Sequence, residues 1–199
     1  TAKDRLKVYR EAVLKESFDQ CKEFIALSSL GDLGRGKSKH RPRNDPALFK
    51  NGKYPFIQTG DVKAASKYIT DYSKMYGPFG LQQSKLWPKG TLCITIAANI
   101  AETAFLDVDA CFPDSVVGFT PQEKILPEYV RFFIESQKQR LWAFAPATAQ
   151  KNINLDTLAK LMIPYCPVDE QRKIICETDC KITMCDNIEQ RIDTSLHHA

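Results

Sequence analysis

The chain has 199 residues, 43% of them hydrophobic, and a formal net charge of +4 at neutral pH. That length buries one good core, so one domain with appendages is expected, and the composition is ordinary for a globular protein. The longest uncharged runs, Thr91 to Ala101 and Leu141 to Gln150, fall short of the roughly 18–20 apolar residues of a membrane span, and no secretory leader pattern opens the chain. It begins on Thr1 without an initiator Met, which reads as a boundary. Seven cysteines form an odd set with no CxxC pair. Most lie among apolar neighbours, as in a reducing, cytoplasmic protein.

Residues 3–18 predict a helix with Leu6, Tyr9, Val13, Leu14 and Phe18 on one stripe among charges. Phe24 to Leu30 then reads as a strand. From Arg35 to Arg43 every second residue is basic: Arg35, Lys37, Lys39, Arg41 and Arg43. In an extended segment alternate side chains point the same way, about 6.7 Å apart. The charges therefore line one edge, with Gly36, Ser38, His40 and Pro42 on the other. The window 34–53 holds seven Lys/Arg against one acid, Asp45, a net of +6 that exceeds the charge of the whole chain. A solvated loop with such a field calls for a polyanion, nucleic acid above all. The bland reading is a surface loop with no partner.

A β-rich middle follows. Tyr54 to Gln58 reads as a strand closed by Thr59-Gly60-Asp61, and Trp87-Pro88-Lys89-Gly90 as a turn into a strand from Leu92 to Ala98. Further strands are expected at Thr103 to Val108 and Val116 to Thr120. Pro127 opens a helix that carries Val130, Phe133, Ile134 and Leu141 inward. A loop from Ala145 to Asn152 precedes Leu155 to Ile163, which returns to the core. Residues 169–196 predict a long helix, N-capped by Asp169, with Ile175, Ile182, Cys185, Ile192 and Leu196 on a near-heptad seam and Ile188 beside it. The spacings of 4 and 5 between Cys176, Cys180 and Cys185, with His197 and His198 beyond, fit no common zinc motif and read as helix packing. The fold class is α+β: one β-rich domain flanked by two long helices whose apolar stripes pack on each other or on another chain.

Three chemical motifs invite a reading. Gly31 to Ser38, GDLGRGKS, matches the P-loop pattern GxxxxGK[ST]. A P-loop needs a helix opening at its Lys-Ser, however, and KHRPRNDP with Pro42 and Pro46 cannot sustain one. Asp61, Asp107, Asp109 and Asp114 suggest a metal-dependent nuclease, but their order along the strands is not that of such a site. His40 has only Asp45 to orient it as a base. The Pro-Pro segment of an adenine methyltransferase is absent, since Asn44-Asp45-Pro46 runs into Ala47. The residues show no catalytic site; a P-loop NTPase or metal-dependent nuclease stays as the alternative, and a helix-mediated assembly module as a third.

Taken in order, GRGKSKHRPRND, KYPFIQTGDV, LWPKGTLCITIAANI, ACFPDSVVGF, ATAQKNINLDTLAKLMIPYCPVDEQRKI and MCDNIEQRIDTSLHHA resemble the specificity subunit of Type I restriction-modification systems. The similarity runs over nearly the whole chain, with the segment ending in PVDEQRKI its strongest part. The resemblance implies a target-recognition domain at 19–167 between conserved-region helices at 1–18 and 168–199, the helices pairing as a coiled-coil-like region. It implies double-stranded DNA as ligand and no catalysis by this chain. S-adenosylmethionine, ATP and Mg would belong to partners, namely methyltransferase (modification) subunits and a restriction motor-nuclease subunit. Such subunits carry two recognition domains and this chain has one, so it looks like a half subunit or the C-terminal half of one, open to self-association through its helices. The basic loop (Arg35, Lys37, Lys39, His40, Arg41, Arg43) would grip phosphates, which position without specifying. Base choice would fall to Gln58, Thr59 and Asp61 and to Thr148, Gln150, Lys151 and Asn152.

Overall fold

A computed structural model describes residues 1–144 and 152–197. In chain order it contains α1 (Ala2–Glu16), β1 (Glu23–Ala26), β2 (Gly31–Arg35), β3 (Tyr54–Pro55), α2 (Thr59–Ala64), β4 (Tyr68–Ile69), β5 (Met75–Tyr76), α3 (Pro78–Gln82), β6 (Leu86–Trp87), β7 (Leu92–Thr95), β8 (Thr103–Leu106), β9 (Ala110–Cys111) and β10 (Val116–Pro121). Then come α4 (Pro127–Ser136), α5 (Lys138–Phe144), α6 (Leu155–Ala159), β11 (Met162–Tyr165) and α7 (Val168–His197). The mixture of helix and sheet agrees with the α+β expectation.

Five strands form the central sheet in the order β2-β10-β7-β8-β4, antiparallel except for the parallel β8–β4 edge. Strand β7 sits in the middle and is buried on both faces. One face carries Leu92 and Ile94, register partners of Phe119 and Val117, into a core shared with α1, α4 and α7. The other face carries Cys93, opposite Gly118 and Ala104, toward Trp87, Phe112 and Val62. Each aliphatic side chain so buried contributes about 1.5–3 kcal/mol. A strand enclosed in this way cannot show a polar face, which is why its sequence reads as an unbroken apolar run.

Several elements are shorter than the sequence suggests, for local reasons. The strand at Phe24 to Leu30 ends at Ala26, where Leu27–Ser29 turns as a 3-10 helix and buries Leu27. The strand at Leu92 to Ala98 stops at Thr95, whose hydroxyl donates to the Asn99 carbonyl and accepts from the Glu102 amide at 3.0 Å. Beyond it Ala98 and Ala101 take positive φ of 63° and 61°, conformations uncommon for alanine. The helix from Pro127 breaks at Gln137, although Val130, Phe133, Ile134 and Leu141 are all buried as expected. Leu155 to Ile163 divides into α6 and the start of β11.

Helices α1 and α7 run antiparallel in contact. Lys3 pairs with Asp193, Arg10 with Asp186 and Glu189, and the Ser17 and Thr178 hydroxyls meet at 2.8 Å. The inward line of α7 differs from the seam read in the sequence. Gln171, Ile174, Thr178 and Cys185 are buried, Ile175, Ile182 and Ile192 are half-buried, and Ile188 is exposed. On α1, Val13 and Leu14 are buried as expected, whereas Tyr9 lies exposed. Two polar residues in the inward line hid it from a hydrophobic pattern.

Gln171 explains itself by its bonds. Fully buried, it donates to the carbonyls of Lys124 (3.0 Å) and Cys166 (2.8 Å) and accepts from the Leu126 amide (2.9 Å). It thereby ties the first turn of α7 to the entrance of α4. Beside it the Tyr129 hydroxyl donates to the Pro164 carbonyl at 3.0 Å, with Cys21 and Cys166 around it. Burial pushes the Cys166 thiol up to about 11. Gln171→Ala strands three backbone groups in a dry interior, so it should lower the unfolding free energy by about 2–4 kcal/mol. Urea unfolding checks this, with the exposed Gln190→Ala as the unaffected control.

Candidate nucleic-acid interface

The basic segment leaves the sheet at the end of β2. Gly31–Arg35 is a strand paired along its length with β10, Gly34 facing Gly118. Its glycines serve close packing. A Cβ on Gly31 would lie 2.4 Å from the Thr120 carbonyl oxygen, one on Gly34 3.0 Å from the Trp87 ring, and one on Gly36 2.2 Å from the Phe112 carbonyl oxygen. The P-loop spelling therefore encodes a glycine-lined strand under Trp87. Residues Gly31 to Arg35 form an edge strand on β10, no helix opens at Lys37-Ser38, and the NTPase alternative finds no support.

From Arg35 to Lys39 the expected alternation is present: Arg35, Lys37 and Lys39 are exposed, while Gly36 and Ser38 are buried. It holds to half-buried His40 and ends at Pro42, which is exposed. The loop is built, not loose. Gly36 N–H donates to the Val116 carbonyl at 2.9 Å, Lys39 N–H to the Gln83 carbonyl at 3.0 Å, and the Ser84 hydroxyl to the Lys37 carbonyl at 2.7 Å. His40 Nε2 lies 2.7 Å from Asp45 Oδ2, with the Phe79 ring edge-on at a centroid distance of 5.2 Å. The Ala47 amide and His40 hold the Asp45 carboxyl below the usual carboxylate range.

The charges divide into two kinds. Arg43 makes a forked pair with Asp114 at 2.8 and 3.0 Å, and Arg41 folds back onto the carbonyls of Ser38 and His40. Among the described residues no carboxylate pairs with Arg35, Lys37, Lys39 or Arg41. Lys85, missed in the sequence, stands 3.6 Å over the Trp87 ring. Nothing in linear spacing brings residues 79–85 to the basic run; only the fold does.

The other candidates fall in two places. Gln58, Thr59 and Asp61, expected as a strand end and turn, open α2, and Asp61 Oδ2 accepts from the Gln58 amide at 2.7 Å. That bond serves a helix end, so Asp61 has a structural duty. Tyr76 links this corner to the basic loop: its ring stacks on Phe56 at 4.1 Å and its hydroxyl meets Ser38 at 3.4 Å. Asn152 is exposed and pairs with Ala97 at the far end of β7, and Lys63 of α2 reaches Asn99 there at 3.5 Å. Thr148, Gln150 and Lys151 lie outside the described residues.

The four aspartates of the nuclease reading do not converge. Asp107 pairs with Lys89 at 2.9 Å, Asp109 accepts from the Lys89 amide at 2.8 Å, Asp114 holds Arg43 and Asp61 caps α2. Among the described residues no three His, Cys, Asp or Glu gather as metal ligands, and no helix is long and apolar enough to cross a membrane.

A family model described as the Type I restriction modification DNA specificity domain matches residues 23–192. The chain belongs to that family. The specificity-domain match thus runs from β1 through most of α7. The Type I restriction enzyme EcoR124I/EcoR124II specificity subunit of Escherichia coli is 24% identical over 98% of this chain and 49% of its own length. The crystallised HsdS subunit from Thermoanaerobacter tengcongensis superposes with a TM-score of 0.74 at 17% identity, covering 96% of this chain and 46% of that one. A chain solved in work on complex assembly and conformational transition of the type I R-M system gives 0.79 at 16% identity, covering 98% and 48%. This specificity domain therefore spans about half the length of each relative.

The packing under the basic loop is open to test. Gly36→Ala drives a methyl into two backbone carbonyls and should cost about 1–3 kcal/mol. Gly60→Ala in α2, where a Cβ meets nothing within 4 Å, should cost nothing. Chemical denaturation of both variants gives the comparison.

Proposed function

We propose that this chain recognises a specific sequence in double-stranded DNA as one half of a Type I specificity subunit, directing adenine methylation and restriction carried out by partners. The observation that carries the reading is the anchored loop with four cations unpaired by any described carboxylate, in a chain of the DNA specificity family. Phosphates would complete the charges of Arg35, Lys37, Lys39 and Arg41, and fix the register in which base-reading groups meet the groove. In this reading residues 19–167 are the target-recognition domain, and residues 1–18 and 168–199 are the conserved-region helices, paired as a coiled-coil-like spacer. The chain itself is non-catalytic and holds no cofactor. S-adenosylmethionine belongs to the modification subunits that dock on it, and ATP and Mg to the restriction motor-nuclease subunit.

The outer face of the helix pair supports a pairing of two copies. Tyr9, Met184 and Ile188 are exposed there, and Leu6, Tyr9, Ile188 and Ile192 line an open groove. Such apolar surface favours association, and a two-fold pairing would restore two recognition domains. Light scattering should find a dimer that a Met184→Asp, Ile188→Asp double variant reduces to monomer. Wild-type chain that stays monomeric at high micromolar concentration argues against self-pairing.

The loop makes a separate prediction. In the Lys37→Ala, Lys39→Ala variant the slope of log K against log salt should fall by roughly 0.9 per lost phosphate contact, equally for all duplexes. Arg43→Ala, which removes a cation already paired with Asp114, should change the slope less. Anisotropy titrations across a salt series measure both, and an unchanged slope in the double variant means the loop faces away from DNA.

A further inference from the structure

Helix α3 meets four requirements of a base reader that the expected candidates meet only in part. It adjoins the phosphate-gripping charges: the Gln83 carbonyl accepts from Lys39 N–H, the Ser84 hydroxyl bonds the Lys37 carbonyl, and the Phe79 ring touches His40. It is rigid. Pro78 occupies its first turn, and Gly80 faces inward so closely that a Cβ would lie 2.4 Å from the Leu48 carbonyl oxygen and 2.7 Å from the Tyr76 ring. Its outward residue follows from that anchoring. Gln82 lies two residues beyond Gly80, about 200° around the helix axis, and is exposed. Finally, the Gln82 amide has no hydrogen-bond partner among the described residues, so its donor and acceptor are both available. Gln58, by contrast, is half-buried at a helix start beside the Asp61 carboxylate, which would repel phosphate.

We propose that α3 enters the major groove beside the basic loop and that Gln82 reads an adenine. A carboxamide donates to and accepts from the adenine N6/N7 edge as a bidentate pair, a match that no other base offers there. Exposed Phe79, on the side of α3 toward His40, supplies an apolar edge for a thymine methyl. This assignment rests on the DNA-recognition reading and adds to it which side chain chooses and which base is chosen.

The test is selection of bound sequences from a randomised duplex pool by the full chain reconstituted with modification subunits. Wild type is compared with Gln82→Ala, Gln82→Arg and Phe79→Ala, each first checked for unchanged thermal unfolding. The expected result is one A·T position at which Gln82→Ala loses discrimination by roughly 5- to 100-fold and Gln82→Arg turns the preference toward guanine. The salt slope stays that of wild type, since no phosphate contact is removed. Phe79→Ala weakens selection at the same or the adjacent pair. Base preferences identical to wild type in both Gln82 variants overturn the assignment while leaving DNA recognition intact. Failure of the wild-type chain to select any sequence overturns recognition itself, and this assignment with it.

Discussion

Strand β7 has no face to give to water, and the arrangement of the molecule follows from that. Its two buried faces require a layer on each side of the sheet. Leu92, Ile94 and Ile96 draw α1, α4 and α7 to one side, while Cys93, with Gly118 and Ala104, receives Trp87, Phe112 and the small elements around them on the other. The sheet thereby separates a helical layer from a loop layer that carries Lys37 and Lys39, cations with no described carboxylate partner.

The loop layer gains its rigidity from unusually close contacts, not from length of strand. Gly34 and Gly118 sit opposite each other and let the Trp87 indole lie flat on the sheet, with Phe112 stacked on it at 5.1 Å. Gly36 then presses the chain against the backbone at Phe112 and Pro113 before the lysines emerge. A loop held at this many points fixes the backbone from which its charges project, so the ordering entropy left to lose is that of the long side chains.

Much of this was legible in the sequence, and what was not has physical causes. The alternating cations could be placed because period two and the absence of apolar residues leave little choice of conformation. Val13, Leu14, Phe133 and Ile134 were recognisable as core by helical spacing. Gln171 and Thr178 were not, since a pattern of hydrophobicity does not register a polar side chain whose partners are distant carbonyls and hydroxyls. Thr59-Gly60-Asp61 read as a turn and opens a helix instead, because a turn and a helix start share the same residue types. The place of α3 beside the basic loop depends on hydrogen bonds across more than forty residues, such as Ser84 to Lys37. No local signal encodes that approach.

Strands β1 and β11 have a consequence of their own. They pair antiparallel, Glu23 opposite Tyr165 and Ala26 opposite Met162, immediately after α1 and immediately before α7. The chain thus leaves the helix pair and returns to it through two adjacent strands, about 4.8 Å apart. The segment between is tied to the helix pair by that ribbon and by α4, which packs on both helices through Phe18 and Gln171. Its two ends lie side by side, so a replacement segment must begin and end on neighbouring strands and bring with it an α4 face that fits the same two helices.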